Sequence, residues 1–91
     1  MGIKLNIFYP RLKQFITDPD SVQVTGDTIG ECLDDLVSQF PGTEELLFNE
    51  QGQLLRHVYV CVNAESAYKV DMATPVKEGD TLIIAALITG G

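Results

Sequence analysis

The chain has 91 residues, 45% of them hydrophobic and 21% charged, and thirteen acidic against six basic residues leave a net charge of −7. That length suits one domain with a small core. The acidic balance argues against nucleic-acid binding, which needs a positive field to displace phosphate counterions, and no run approaches the roughly 20 apolar residues that span a bilayer.

The start, Met1-Gly2-Ile3-Lys4-Leu5, alternates at once and lacks the apolar core of a signal peptide. Cys32 and Cys61 stand in patterned segments rather than in a dense framework, as in a reducing compartment, so the expected location is the cytoplasm. Ile3, Leu5 and Ile7 alternate with Lys4 and Asn6, which predicts a strand with one buried face, closed by Pro10. Residues 11–20 read as irregular, with a turn at Asp18-Pro19-Asp20. Val22 and Val24 mark a short second strand, so the chain opens as a hairpin with a long connection.

Residues 28–40 give the clearest helix. Ile29, Leu33, Leu36, Val37 and Phe40 form one stripe at helical period, Thr28 and Glu31 match a capping box, and Pro41-Gly42 stops it. A short second helix is expected over residues 43–49, anchored by Leu46, Leu47 and Phe48, followed by a turn at Gln51-Gly52-Gln53. Val58, Val60 and Val62 predict a strand over residues 56–62, ended by Asn63, which tolerates turn conformations. A brief edge strand is expected over residues 67–70. Thr74-Pro75-Val76-Lys77-Glu78-Gly79-Asp80 reads as a tight turn with Gly79 at positive φ. Residues 81–87 are almost continuously apolar, which suits a strand buried on both sides and central in its sheet. The order predicts an α+β fold of β-grasp type: a mixed four- to five-stranded sheet with one main helix across one face.

The sequence ends Leu87-Ile88-Thr89-Gly90-Gly91. At average glycine usage of roughly 7%, a terminal pair arises by chance about one time in 200. Such an end packs poorly but suits a narrow channel, where any Cβ would hold the backbone away from a bound nucleotide. Its carboxylate is ionised at neutral pH, with a reference pKa of about 3.5. The division expected is a β-grasp domain over residues 1–87 and a flexible tail over residues 88–91.

In these pieces the chain resembles the ThiS and MoaD-type family of prokaryotic ubiquitin-like sulfur carriers. The matching features are the first strand, the helix, Val60-Cys61-Val62-Asn63, the turn from Thr74 to Asp80 and terminal Gly90-Gly91. The resemblance implies that Gly91 is adenylated and then converted to a thiocarboxylate. Gly90 and Thr89 would thread into a partner's active site, while Ile88 and Leu87 contact the partner. The implied partners are an adenylyltransferase of the ThiF and MoeB type, a persulfide or sulfide donor, and a downstream sulfur-accepting synthase. ATP and Mg²⁺ would belong to the activating enzyme, because the chain has no glycine-rich phosphate loop; it binds no cofactor of its own. It is expected to be a carrier and substrate, not a catalyst, or the small subunit of a sulfur-transferase complex such as molybdopterin synthase. The recipient pathways would be molybdopterin or tungstopterin, thiamine, or sulfur amino-acid biosynthesis. The chain departs from many relatives in having Ala85-Ala86-Leu87 where they place proline, and Ala64 where they often carry glycine or an acid. Residues 43–55 are its extra length.

Other residues have plainer readings. Cys32 and Cys61 read as small buried hydrophobes, and with His57 they do not complete a metal site. His57 reads as a sheet-face residue, and no Ser-His-Asp set supports hydrolysis. Asp34 and Asp35 fall on the helix's solvated side. Phe8, Tyr59 and Tyr68 fit either a partner surface or packing in the core or on the sheet face. Two other functions share the tail: a modifier in which activated Gly91 acylates a target lysine, and a non-covalent interaction domain indifferent to Gly90 and Gly91.

Overall fold

The computed structural model describes residues 2–18, 21–63 and 72–86. Strand β1, Ile3–Phe8, turns Ile3, Leu5 and Ile7 inward and Lys4, Asn6 and Phe8 outward, as its alternation predicts. Tyr9 is extended, and Pro10 then opens a four-residue helix, α1, Pro10–Lys13, of which only Leu12 is buried. This corrects the irregular reading for residues 11–13; residues 14–18 belong to no helix or strand, and Pro19 and Asp20 of the predicted turn lie outside the described residues. Proline closes the strand but also starts the helix, because its fixed φ and missing N–H suit the first helical position.

Strand β2 is Gln23–Val24 and pairs antiparallel with β1, Ile3 opposite Val24. Helix α2, Ile29–Gln39, has Thr28 and Phe40 as its caps. The Thr28 hydroxyl accepts from the Glu31 N–H at 3.2 Å. The Glu31 carboxylate reaches one residue further back than a capping box requires, accepting from the Asp27 N–H at 2.8 Å. The loop from Met72 to Val76 satisfies the next donors: Ile29 N–H donates to the Thr74 carbonyl and Gly30 N–H to that of Met72, at 3.0 and 2.9 Å. A Cβ at Gly30 would lie 3.1 Å from that Met72 oxygen, so a glycine permits this close approach.

A single 3₁₀ turn, Pro41–Thr43, leads into helix α3, Glu44–Leu47, shorter than the expected 43–49. Phe48 has already left the helix and bridges to Leu54 across the predicted turn. Strand β3 is Val58–Val62, and Asn63 ends it at φ 55. Gly79 has φ 90, as the turn before the last strand predicts. Strand β4, Thr81–Ala86, lies between β1 and β3 in the order β2-β1-β4-β3, parallel to β1 and antiparallel to β3. The described residues thus form a four-stranded mixed sheet with α2 over one face, which is the β-grasp arrangement. The predicted edge strand over residues 67–70 lies outside the described residues.

The core lies between α2 and one sheet face. Ile29, Cys32, Leu33 and Leu36 of the helix join Ile3, Leu5, Ile7, Val24, Val58, Val60, Leu82 and Ile84 of the strands. Each large aliphatic side chain buried there contributes on the order of 2 kcal/mol by removal from water. No helix among the described residues is long and apolar enough to cross a membrane.

Candidate functional site

Leu87, Ile88, Thr89, Gly90 and Gly91 lie outside the described residues, as does Tyr68. The structure describes the platform from which they continue. β4 is the central strand, and its last described residue, Ala86, sits opposite Val58 of β3. The apolar run predicted burial on both faces; only one is buried. Leu82 and Ile84 are fully covered on the helix side, whereas Thr81, Ile83 and Ala85 are half-exposed on the other. A sheet with a helix on one face alone leaves its second face open, and apolar content cannot distinguish the two.

The open face is ordered in rows by the strand register. Ala85 lies between Phe8 of β1 and Tyr59 of β3, and one row back Ile83 lies between Asn6 and Cys61. Phe8 is 63% exposed and Tyr59 45%, so neither aromatic ring is used by the core. This excludes core packing for those two residues and places them on the outward face of the sheet. With strands about 4.8 Å apart, the two aromatics flank a small alanine on β4. Apolar residues clustered this way, with Lys4 as the charged member at the far end of β1, are an unusual load for the solvated side of a small acidic protein.

The neighbouring residue Tyr9 points the other way and fixes the end of β1. It is buried, its hydroxyl donates to the Leu46 carbonyl at 3.0 Å, and the same hydroxyl oxygen lies 3.4 Å from Nε2 of His57. The His57 ring meets Tyr9 edge-on, with centroids 6.1 Å apart. His57 is exposed just before β3 and serves this contact, with no nucleophile and acid pair bonded to it among the described residues. Beside the aromatic row, Phe8, Tyr9, Pro10 and Lys13 line an open hollow of about 520 Å³.

Glu31 and Asp34 are exposed on α2, and Glu44, Glu45 and Glu50 stand on and after α3. Asp35 is half-buried, accepting from the Thr25 N–H at 3.0 Å and the Gln39 amide at 3.2 Å, so it braces β2 against α2. The two cysteines part company. Cys32 is fully buried under α2, and burial, reinforced by Asp35, Glu31 and Asp27, pushes its thiol up to about 11. Cys61 is half-buried on the open face, not in the core. Among the described residues no group of three or more His, Cys, Asp or Glu side chains is placed to hold a metal ion.

Fold and platform together define a ubiquitin-like β-grasp domain: a central strand runs between two aromatics on an uncovered face toward a diglycine end. No family profile matches the chain. It is 34% identical over 74 residues to the sulfur carrier protein CysO of Mycobacterium tuberculosis, covering 78% of this chain and 80% of that one. It is 35% identical over 71 residues to small archaeal modifier protein 1 of Haloferax volcanii, covering 77% and 78%. The crystal structure of that modifier superposes with a TM-score of 0.79 over 98% of both chains, at 28% identity. A crystal structure of the Amycolatopsis orientalis BexX/CysO complex matches with a TM-score of 0.77 at 31% identity, covering 96% of this chain and 99% of that one. The chain therefore belongs to the ubiquitin-like sulfur-carrier and modifier family of ThiS and MoaD type, and it is a carrier rather than an enzyme.

Proposed function

We propose that this chain carries sulfur as a thiocarboxylate on Gly91, and that a partner enzyme builds it. The observation that carries the reading is the relationship to CysO across most of both chains, combined with Gly90-Gly91 following the central strand. A carboxylate is a poor electrophile because its leaving group would be oxide. An adenylyltransferase of the ThiF and MoeB type supplies a better one: the Gly91 carboxylate oxygen attacks the α-phosphorus of ATP and pyrophosphate leaves. Sulfur from a sulfide or persulfide donor then attacks the acyl carbon, AMP departs, and sulfur replaces one oxygen. With a persulfide donor, cleavage of the remaining S–S bond by a thiol frees the thiocarboxylate. ATP and Mg²⁺ reside on the enzyme, whose cationic groups neutralise the charge developing on the phosphates.

In this reading the open face docks on that enzyme, with Phe8 and Tyr59 as aromatic anchors and Leu87 and Ile88 extending the contact. Thr89 and Gly90 enter the channel. The net charge of −7 draws the chain toward a basic partner. The sulfur passes to a synthase of cofactor or sulfur amino-acid biosynthesis.

A second reading has its own support, since one relative is named a modifier. The paths share the acyl adenylate and divide at the nucleophile: sulfur gives a carrier, a lysine amine gives an isopeptide. Intact mass separates them. After incubation with ATP, Mg²⁺, an activating enzyme and sulfide, the carrier reading predicts a gain equal to replacing one oxygen by sulfur. That gain is absent in a variant lacking Gly90 and Gly91. Lysine-linked adducts in cells without any thiocarboxylate would favour the modifier.

A further inference from the structure

The register of β4 raises a problem that its own side chains do not solve. β1 reads apolar-polar, so a one-residue slip would bury Lys4 and Asn6. β4 reads Leu82-Ile83-Ile84-Ala85-Ala86 and is apolar on both faces, so the same slip would exchange one apolar set for another. Strands of this kind specify register weakly. Yet β4 leads directly to the tail, and each residue of slip moves that exit by about 3.3 Å.

The described residues hold a set of contacts at the other end of the strand. Asn63, at φ 55 after β3, donates from its side-chain amide to Asp80 Oδ1 at 3.0 Å, while its Oδ1 accepts from the Thr81 N–H at 2.8 Å. Its backbone N–H donates to the Thr81 carbonyl at 2.7 Å. Asp80 is nearly buried; its Oδ2 accepts from the Lys77 N–H at 3.0 Å, and its carbonyl accepts from the Lys4 N–H of β1 at 3.2 Å. Asp80 and Thr81 are thereby tied at once to the preceding turn, to β1 and to the end of β3. A slipped β4 would bring a different residue to each of these partners. Thr81 or Gly79 in place of Asp80 offers no carboxylate, leaving the Asn63 amide and the Lys77 N–H without acceptors.

We propose that the Asn63–Asp80 clasp is a positioning device that fixes the register of β4, and through it the delivery of Gly91 to the activating enzyme. The register assignment stands on the geometry alone; its consequence for Gly91 rests on the sulfur-carrier reading.

The test is a swap. Asn63→Asp sets two carboxylates against each other and removes the amide donor. The double variant Asn63→Asp with Asp80→Asn restores every contact with the roles exchanged: the new carboxylate accepts from Thr81 N–H and from the new amide, whose oxygen accepts from Lys77 N–H. Cross-strand NOEs read the register, with Val60 opposite Ile84 in the native protein. The expectation is a second set of NOEs in Asn63→Asp, placing Val60 opposite Ile83 or Ala85, and a return to one set in the double variant. Should Asn63→Asp not fold, Asn63→Gly keeps the left-handed backbone and removes only the amide, and the same second set is expected. A single unchanged register in the folded Asn63 variants, or a folded double variant that still shows two, overturns the proposal. Gly91 thiocarboxylation should fall in step with the slipped fraction and recover in the swap. A wild-type protein that never gains sulfur removes the carrier reading while leaving the NOE result to judge the clasp.

Discussion

The two faces of the sheet use similar residues to different ends. On the helix side, Leu82 and Ile84 of β4 are sealed beneath Leu33 and Leu36. On the other, Ile83 and Ala85 of the same strand lie half-exposed between Phe8, Asn6, Tyr59 and Cys61. The first set holds the chain folded. The second makes no comparable contribution to the fold, and under the proposed function its apolar character serves docking on a partner. A central strand can therefore be apolar for two reasons at once, one thermodynamic and one functional.

The sharpest way to break this comparison is to truncate each face. Leu36→Ala should cost about 2–5 kcal/mol, because it leaves a cavity where nothing relaxes inward, and denaturant unfolding will measure it. Thiol labelling extends the contrast. Cys61 should react with a maleimide in the native protein, whereas Cys32, buried and with its thiol pushed up to about 11, should react only as the domain unfolds. Comparable native-state rates for the two would contradict the division of faces. A smaller effect is expected at the helix start: Thr28→Ala removes the acceptor for Glu31 N–H and should lower stability by about 1 kcal/mol.

Asp80 supplies a pH signature. The Asn63 amide first, then the Lys77 N–H, hold its carboxyl below the usual carboxylate range, partly opposed by burial and aided by the Lys77 charge. A depressed folded value means the contribution is present above the unfolded value of about 3.9 and fades as pH falls through the folded one. Asp80→Asn should therefore flatten part of the acid limb of a stability-versus-pH curve and leave its shape above pH ~6 unchanged. An acid limb identical to wild type would contradict that assignment. Smallest of all for the fold is Phe8→Ala, expected within about 0.5 kcal/mol of wild type because the ring is exposed. Its effect should appear instead as a raised KM with the activating enzyme.

Much of this was legible along the chain, and what was not has physical causes. α2 is clear because eleven residues are long enough for a helical stripe and end in recognisable caps. α1 is invisible because four residues cannot show a period, and Pro10 reads as a stop when it is also a start. The central place of β4 follows from its unbroken apolar run, but which side stays open depends on α2 being the one long helix among the described residues. Asn63 and Asp80 each stand out as a strand end and a turn residue. Their pairing joins positions 17 apart and exists only once β3 and β4 lie side by side. Glu31 marks the helix start correctly yet caps Asp27 rather than Thr28, a choice that local spacing leaves open.

The most direct test of the division of faces is a titration of amide resonances with the activating enzyme. The account predicts that Asn6, Phe8, Tyr59, Cys61, Ile83 and Ala85 shift or broaden first, while Asp34 and Ser38 on the exposed side of α2 stay in place. Perturbation confined to α2, with the open face of the sheet unmoved, would contradict it.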